Sequence, residues 1–514
     1  MAIGGKKLSW IRRDFLIGGA SALAYMRGVR INAAPRFPDN PFKLGVASGE
    51  PTQDGFVLWT RLAPFPFDEM SGMPLEPVVV EWQVSSDEGM SKVVAKGSTI
   101  ADPTMGHSIH VEVSGLEPHR YYWYQFRTGS EISPKGRTRT LPMAGGSIDA
   151  ARIGVVSCQK YEDGYFTGFR HLSREDIDLV VHLGDYIYEK KGKFYKTRTH
   201  HGGTCYTLEE YRARYAQYKM DADLQAAHAA HPWAVSFDDH EVVNDYAGAD
   251  EGNSDPTDEM TYRRTAAYQA YYENMPLRRS AIPNGPYIKL FRRLHFGNLL
   301  AINILDTRQY RSEQPCYAGK KVERCDEVFD QKAAMLGKAQ EKWLYDGLRS
   351  SSTRWNTLAQ QVIVAPRQLS ENRYSMDKWD GYEIPRRRLI GALGDGHVSN
   401  PIILSGDNHR HWVAELRSKP EDQETPVIAT EYIGGSIASR GDGSEMTNSG
   451  RRILKLNPHF KYFCDQRGYL LCTITPAQWR TDYRIMRYVE RPGAPIETRI
   501  SFVTENGRPG AIQV

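Results

Sequence analysis

Four apolar runs, each stopping at a polar cluster, constrain this chain most. Ile153-Gly-Val-Val-Ser-Cys158 is apolar up to its last two residues. Ile177, Leu179, Val180, Val181 and Leu183 lead into Gly184-Asp185 and then Tyr188. Trp233-Ala-Val-Ser-Phe237 leads into Asp238-Asp239-His240-Glu241 and Asn244. Pro401-Ile-Ile-Leu-Ser leads into Gly406-Asp407-Asn408-His409-Arg410-His411. Short apolar runs bounded by glycine read as buried strands. A helical stretch over 165–175 separates the first two runs, giving a strand–helix–strand unit and a parallel pair. In an open α/β sheet ligands gather at the carboxyl ends of strands, where all four polar clusters fall.

The 514 residues suggest two or three domains. Residues 40–145 have a different texture from the rest. Short strand candidates (56–60, 78–84, 107–113 and 121–127) are bounded by Gly, Pro, Asp or Ser, the spacing of a small antiparallel sandwich. The linker Pro142-Met-Ala-Gly-Gly-Ser-Ile separates it from an α/β domain over 150–514. There, helices are expected over 208–230, 260–274 and 336–350. Further strands are expected over 287–294, 299–305, 357–365 and 401–404, and runs at 469–475 and 482–488 are expected to complete a second sheet. The net charge of +4, without a dense Lys/Arg stripe, argues against nucleic-acid binding.

Residues 1–35 read as a targeting segment. Lys6, Lys7, Arg12 and Arg13 precede an apolar tract beginning at Phe15, and Asn32-Ala33-Ala34 forms a small-residue exit. Arg12-Arg13-Asp-Phe-Leu16 resembles a twin-arginine signal. A membrane anchor is the alternative, but the tract is short for a bilayer, and no other apolar run nears a spanning length. Export makes disulfides admissible: Cys316 can pair with Cys325, and Cys464 with Cys472, but connectivity cannot be read from sequence.

Each polar strand end has an ordinary explanation. Cys158 alone would be a small buried hydrophobe, Asp239 a helix cap, and His409 a satisfied core histidine. All four at strand ends of one domain point instead to a metal site. A thiolate (Cys158), a phenolate (Tyr188) and an imidazole (His409) suit a transition metal, and a phenolate favours Fe(III). Asp239, Asn244, Asp407 and a bridging Asp185 are hard donors suited to Ca²⁺, Mg²⁺ or Mn²⁺. Two unlike cations about 4 Å apart would hold a bridging hydroxide and clamp a phosphoryl group.

These motifs resemble the calcineurin-like, purple-acid-phosphatase-like superfamily, and within it the PhoD-type alkaline phosphatases. Cys158 replaces the superfamily's opening aspartate, and Asp407 stands where its first histidine usually falls. Further landmarks are Leu44-Gly-Val-Ala-Ser-Gly-Glu-Pro, Leu305-Asp-Thr-Arg-Gln-Tyr-Arg, Asp377-Lys-Trp-Asp-Gly-Tyr and Thr430-Glu-Tyr-Ile-Gly-Gly-Ser. The resemblance implies a fibronectin-like β-sandwich followed by an αββα metallophosphoesterase domain, and twin-arginine export to the periplasm or exterior. It implies Fe(III) on Cys158, Asp185, Tyr188 and His409, and Ca²⁺ on Asp185, Asp239, Asn244 and Asp407. Asp238 and Glu431 are weaker ligand candidates. Phe237 stands where the family commonly has Trp, and Asn408 with Arg410-His411 replaces smaller residues at the rim.

The expected activity is hydrolysis of phosphate monoesters or diesters by a metal-bound hydroxide. Arg308 is the candidate for contacting a phosphate oxygen, with a structural ion pair to Asp306 or another acid as the alternative. His240 or His411 is the candidate for protonating the leaving group. The family also includes phosphodiesterases and enzymes with phospholipase D activity, so a phospholipid or wall-polymer diester is the second substrate reading. From other classes, a non-enzymatic exported metal protein and a non-haem iron oxidase are the rivals.

Overall fold

The computed structural model describes residues 36–192, 197–248, 259–316 and 321–514. The expected targeting segment, residues 1–35, lies outside them. Two large sheets organise the molecule. The first has ten strands. Its parallel centre is Ala151–Val156, Leu179–His182, Pro232–Val235 and Val46–Thr52. The second has seven strands, with Leu300–Ile304, Trp355–Ala359, Pro401–Ser405 and Val427–Ile433 running parallel at its centre.

The sheets face each other across one apolar layer. Ile153, Val155, Leu179, Val181 and Leu470 meet Leu300, Ile302, Ile402, Leu404 and Tyr432 there. Alternate residues turn outward. Val156, Val180 and Trp233 pack under the helices Leu208–Lys219, Ala222–Ala230 and Glu259–Asn274. Leu358, Ile403 and Trp412 pack under Gly337–Arg349, Glu383–Leu393 and Asn448–Leu456. Burial on both faces is why these strands carry unbroken apolar runs rather than alternation. Among the described residues, no helix is long and apolar enough to cross a membrane.

The N-terminal strands are sandwich-like but not detached. Val78–Ser85, Val93–Ala101 and Tyr121–Thr128 form the core of a separate sheet. It packs through Val80, Val84, Tyr124 and Phe126 onto Phe56, Leu58, Ile109 and Val111. Those four lie on Gly55–Arg61 and Ser108–Val113, which continue the large sheet past Val46–Thr52.

Several local expectations are corrected. The helix expected over 208–230 is two helices, because Asp221 accepts the N–H groups of Asp223 (3.0 Å) and Leu224 (3.2 Å) and caps the second. Arg467–Ile474 and Gln478–Met486 join the first sheet, not the second, with Leu471 opposite Gly154. The strand expected over 357–365 ends at Ala359. Cys316 and Cys325 form a disulfide. Cys464 and Cys472 are free: they sit on strands of different sheets, each buried in the layer between them.

Candidate metal centre

The parallel strands deliver their carboxyl ends to one place, and the chain bends sharply to leave it. Cys158, Asp185, Asp407 and His409 have φ of 61°, 58°, 58° and 60°. These are left-handed conformations that non-glycine residues avoid, at about 1–3 kcal/mol each, and that cluster at functional sites. Gly184 (φ 104°) is required: a Cβ there would meet the backbone nitrogen of Asp238 at 2.3 Å. The loops are laced together. Cys158 N–H donates to the Gly184 carbonyl and Gln159 N–H to the Asp185 carbonyl, both at 3.1 Å.

Eight of the predicted residues converge. One donor atom each of Cys158, Asp185 and His409 lie within 4.8 Å of one another. Tyr188 joins them: its hydroxyl donates to Asp185 Oδ2 (2.7 Å) and lies 3.0 Å from His409 Nε2. A second group at the same spacing is Asp238, Asp239 and Asp407, and a third is Asp185, Asp239 and His240. Asp185 and Asp239 thus link a sulfur–phenol–imidazole side to an all-carboxylate side.

These donors fit cations. Asp185 Oδ1, Asp238 Oδ2, Asp239 Oδ1 and His409 Nδ1 are buried and have no hydrogen-bond partner. Native proteins rarely leave such atoms unsatisfied, because each costs about 1–3 kcal/mol. Titration fits as well. Burial, then Asp185, pushes the Cys158 thiol well up, and burial, then Asp185 and Cys158, does the same to the Tyr188 phenol. Burial lifts Asp185 to about 6, with Asp239 adding to the rise. Only an added positive charge makes a full set of ionised donors favourable here.

Other predicted residues are placed differently. The Arg308 guanidinium is fully buried and occupied by acids. It pairs with Asp238, with both Asp377 oxygens at 3.0 Å and with Asp407 at 3.1 Å. Asp306 instead accepts the backbone N–H of Arg308 at 2.9 Å, so it is not the guanidinium's partner. His240 lies at the centre: its Nδ1 is 2.7 Å from Glu189 Oε2 and its ring is tilted against that of Tyr188, with centroids 4.2 Å apart. Burial opposes its charged form, but Asp239, Asp185 and Glu189 outweigh burial and raise its pKa.

Two residues are not brought in. His411 is fully buried against Tyr483, and its Nδ1 accepts the Gly435 N–H at 2.9 Å. Glu431 accepts the N–H groups of Val364 and Ala365, both at 2.8 Å, and the Ser405 hydroxyl at 2.6 Å, leaving neither oxygen for a cation. Asn244, exposed on its loop, is tethered beside the centre: its backbone N–H donates at 3.2 Å to Glu189, the partner of His240.

Supporting residues went unassigned in the sequence. Glu241 is the strongest: it accepts the N–H groups of Tyr186 (2.6 Å), Asp238 (2.9 Å) and Asp185 (3.1 Å), tying two ligand loops to one carboxylate. Asp377 receives Arg308, Arg311 (2.6 Å) and Lys378 (2.8 Å), and Lys378 also pairs with Asp407. Ser439 donates to the Tyr188 hydroxyl at 2.9 Å. Glu241 and Asp377 both stand inside motifs already conspicuous in the sequence, which was the available signal.

Comparison with known proteins follows the same line. A family model described as PhoD-like phosphatase matches residues 153–483. A second, for the N-terminal domain of PhoD-like phosphatases, matches residues 28–142. Alkaline phosphatase D of Bacillus subtilis (strain 168) is 45% identical over 520 residues, covering 98% of this chain and 89% of that protein. A solved structure described as PhoD superposes with a TM-score of 0.90 at 46% identity, covering 94% of this chain and 93% of that one.

Proposed function

From the premise that the chain belongs to the PhoD-like phosphatase family and is a phosphoric ester hydrolase, we propose that it is an exported enzyme. In this reading it hydrolyses phosphate monoesters, diesters or both at a centre of two unlike cations. Residues 40–145 act as an N-terminal sandwich domain and residues 150–514 as an αββα metallophosphoesterase domain. The observation that carries the reading is the convergence of Cys158, Asp185, Tyr188 and His409 with Asp238, Asp239 and Asp407, several of whose buried oxygens lack a partner.

Fe(III) is assigned to the sulfur–phenol–imidazole side and Ca²⁺ to the carboxylate side, on ligand hardness. Bound there, the cations would supply Lewis acidity toward phosphoryl oxygens and toward water. The chain's own residues do the rest. Asp185 and Asp239 fix the spacing of the two sides. Arg308 pairs with Asp238, Asp377 and Asp407 and holds the three carboxylates together. His240 is oriented by the contact of its Nδ1 with Glu189, which leaves Nε2 as the atom that would serve a leaving-group oxygen.

The N-terminal segment assigns export to the twin-arginine machinery, with the periplasm or the exterior as destination. N-terminal sequencing of the exported protein tests this: an intact residue 1 in the exported fraction contradicts it. For the activity, p-nitrophenyl phosphate and bis-p-nitrophenyl phosphate are compared with and without chelator. Turnover that survives complete cation removal contradicts the reading. The ratio of the two rates assigns monoester or diester preference, and a diester preference would favour phospholipid or wall-polymer substrates.

A further inference from the structure

Every nitrogen of Arg308 is taken by a carboxylate. Its Nε goes to Asp238, its Nη1 to both Asp377 oxygens and its Nη2 to Asp407, and the group is fully buried. Lys378 shares two of those acids. Its Nζ donates to Asp377 at 2.8 Å and pairs with Asp407. An ammonium has three N–H donors, and the third has no partner among the described residues. Solvent reaches this part of the cluster. The side chains of Lys378, Asp407, His409 and His240 are 10–18% exposed. Those of Arg308, Asp185, Asp238, Asp239 and Asp377 are 3% exposed or less. The first four mark the mouth of the centre, and Lys378 brings an ammonium there with a donor left over.

The local sequence fixes where that ammonium stands. In Asp377-Lys-Trp-Asp-Gly-Tyr382 a single 3₁₀ turn spans Trp379–Gly381, and the Gly381 N–H donates to the Lys378 carbonyl at 3.0 Å. Trp379 is buried in the outer core of the second sheet, with its indole N–H 3.3 Å from Gln360 Oε1. Gly381 is required, because a Cβ there would meet the Met376 carbonyl oxygen at 2.4 Å. On the other flank Arg311 donates to the Asp377 backbone carbonyl at 2.9 Å. Lys378 therefore rises from a backbone pinned on both sides, which aims a compact point charge at one spot.

A phosphate monoester presents three non-bridging oxygens and a diester two. On the cation-centre reading, two of them go to the cations. We propose that the remaining Lys378 N–H takes the third, so that this lysine contacts the substrate and favours monoesters over diesters. The inference rests on the cation-centre reading above and narrows its substrate class. It also moves to Lys378 the phosphate contact that the sequence suggested for Arg308.

The test compares cation-loaded wild type with Lys378→Met, a neutral side chain of similar length, after elemental analysis has confirmed equal cation content. In the variant Asp377 keeps Arg308 and Arg311, and Asp407 keeps Arg308, so neither acid is stranded. kcat/KM is read for p-nitrophenyl phosphate and bis-p-nitrophenyl phosphate. Lys378→Met should lower the monoester-to-diester ratio by roughly tenfold to a hundredfold, the scale of one charge-assisted hydrogen bond. Binding of inorganic phosphate, read by calorimetry without turnover, should weaken by a similar factor. An unchanged ratio, or equal losses on both esters, overturns the proposal and leaves Lys378 as a counter-charge for Asp377 and Asp407. If Lys378→Met does not fold or load, wild type decides: inorganic phosphate should bind at least about tenfold tighter than dimethyl phosphate, and equal affinities overturn the proposal. Hydrolysis of neither ester by loaded wild type would sink the cation-centre reading, and this proposal with it.

Discussion

Glu241→Gln isolates the scaffold of the centre from its ligands. Glu241 belongs to none of the donor groups, but its two oxygens accept three backbone N–H groups from the loops carrying Asp185 and Asp238. A glutamine keeps the shape and removes one acceptor. With its carbonyl placed to retain the Asp185 and Asp238 bonds, its amide faces the Tyr186 N–H, donor against donor. One short bond to a carboxylate is lost and a buried donor is stranded. Bonds to charged groups contribute about 1.5–3 kcal/mol, and an unsatisfied buried donor costs about 1–3 kcal/mol. The relaxed loss should be about 2–4 kcal/mol, concentrated in the loops that position the donors. Residues that orient ligands typically change cation affinity by about 10–100-fold. Denaturant unfolding of chelated wild-type and variant protein at about pH 9, above the value of about 8 to which burial lifts Glu241, measures the first quantity, and titration with competing chelators the second. Unchanged stability together with unchanged cation affinity would refute the argument that this carboxylate knits the centre.

Three other predictions follow from the same contacts. Arg308→Met leaves Asp238, Asp377 and Asp407 without their shared counter-charge and should cost about 3–5 kcal/mol in chelated protein, read by denaturant unfolding. Asp185 and Glu241 have pKa values raised by burial to about 6 and about 8, so in cation-free protein their contribution to stability is present at low pH. It is lost as pH rises through those values, whereas cations bind the deprotonated groups; the thermal stability gap between loaded and chelated protein should therefore narrow from about pH 8 to about pH 5. A gap that widens on acidification contradicts this. His411→Asn should lower thermal stability through lost packing against Tyr483 while leaving kcat of cation-loaded protein within about threefold; a loss of several hundredfold would return His411 to proton transfer.

The strand ends were legible because burial on both faces writes unbroken apolar runs, and because donors must interrupt them. What lay outside local pattern was missed for identifiable reasons. Arg386, Arg387 and Arg388 hide the apolar period of the helix Glu383–Leu393; Arg386 is buried there by pairing with Glu383 at 2.7 Å. The last strands joined the first sheet through the pairing of Leu471 with Gly154, a partner choice no local pattern encodes. His409 and His411 look equivalent two residues apart, but the left-handed turn at His409 breaks the strand alternation and sends the two rings to different surroundings. Glu431 carries the donor chemistry of a ligand and is consumed by backbone N–H groups that only the folded chain brings to it.

Unlike cations on two sides of one centre can be tested in a single experiment on protein from the exported fraction. Elemental analysis and visible absorption are recorded together for wild type, Cys158→Ala and Tyr188→Phe. Wild type should carry iron alongside calcium and show the absorption band of a ferric phenolate. Tyr188→Phe should lose the band, and Cys158→Ala should lose the iron with nearly all activity. Iron content and turnover that survive Cys158→Ala would contradict the account, leaving the thiol as packing beneath an otherwise different site.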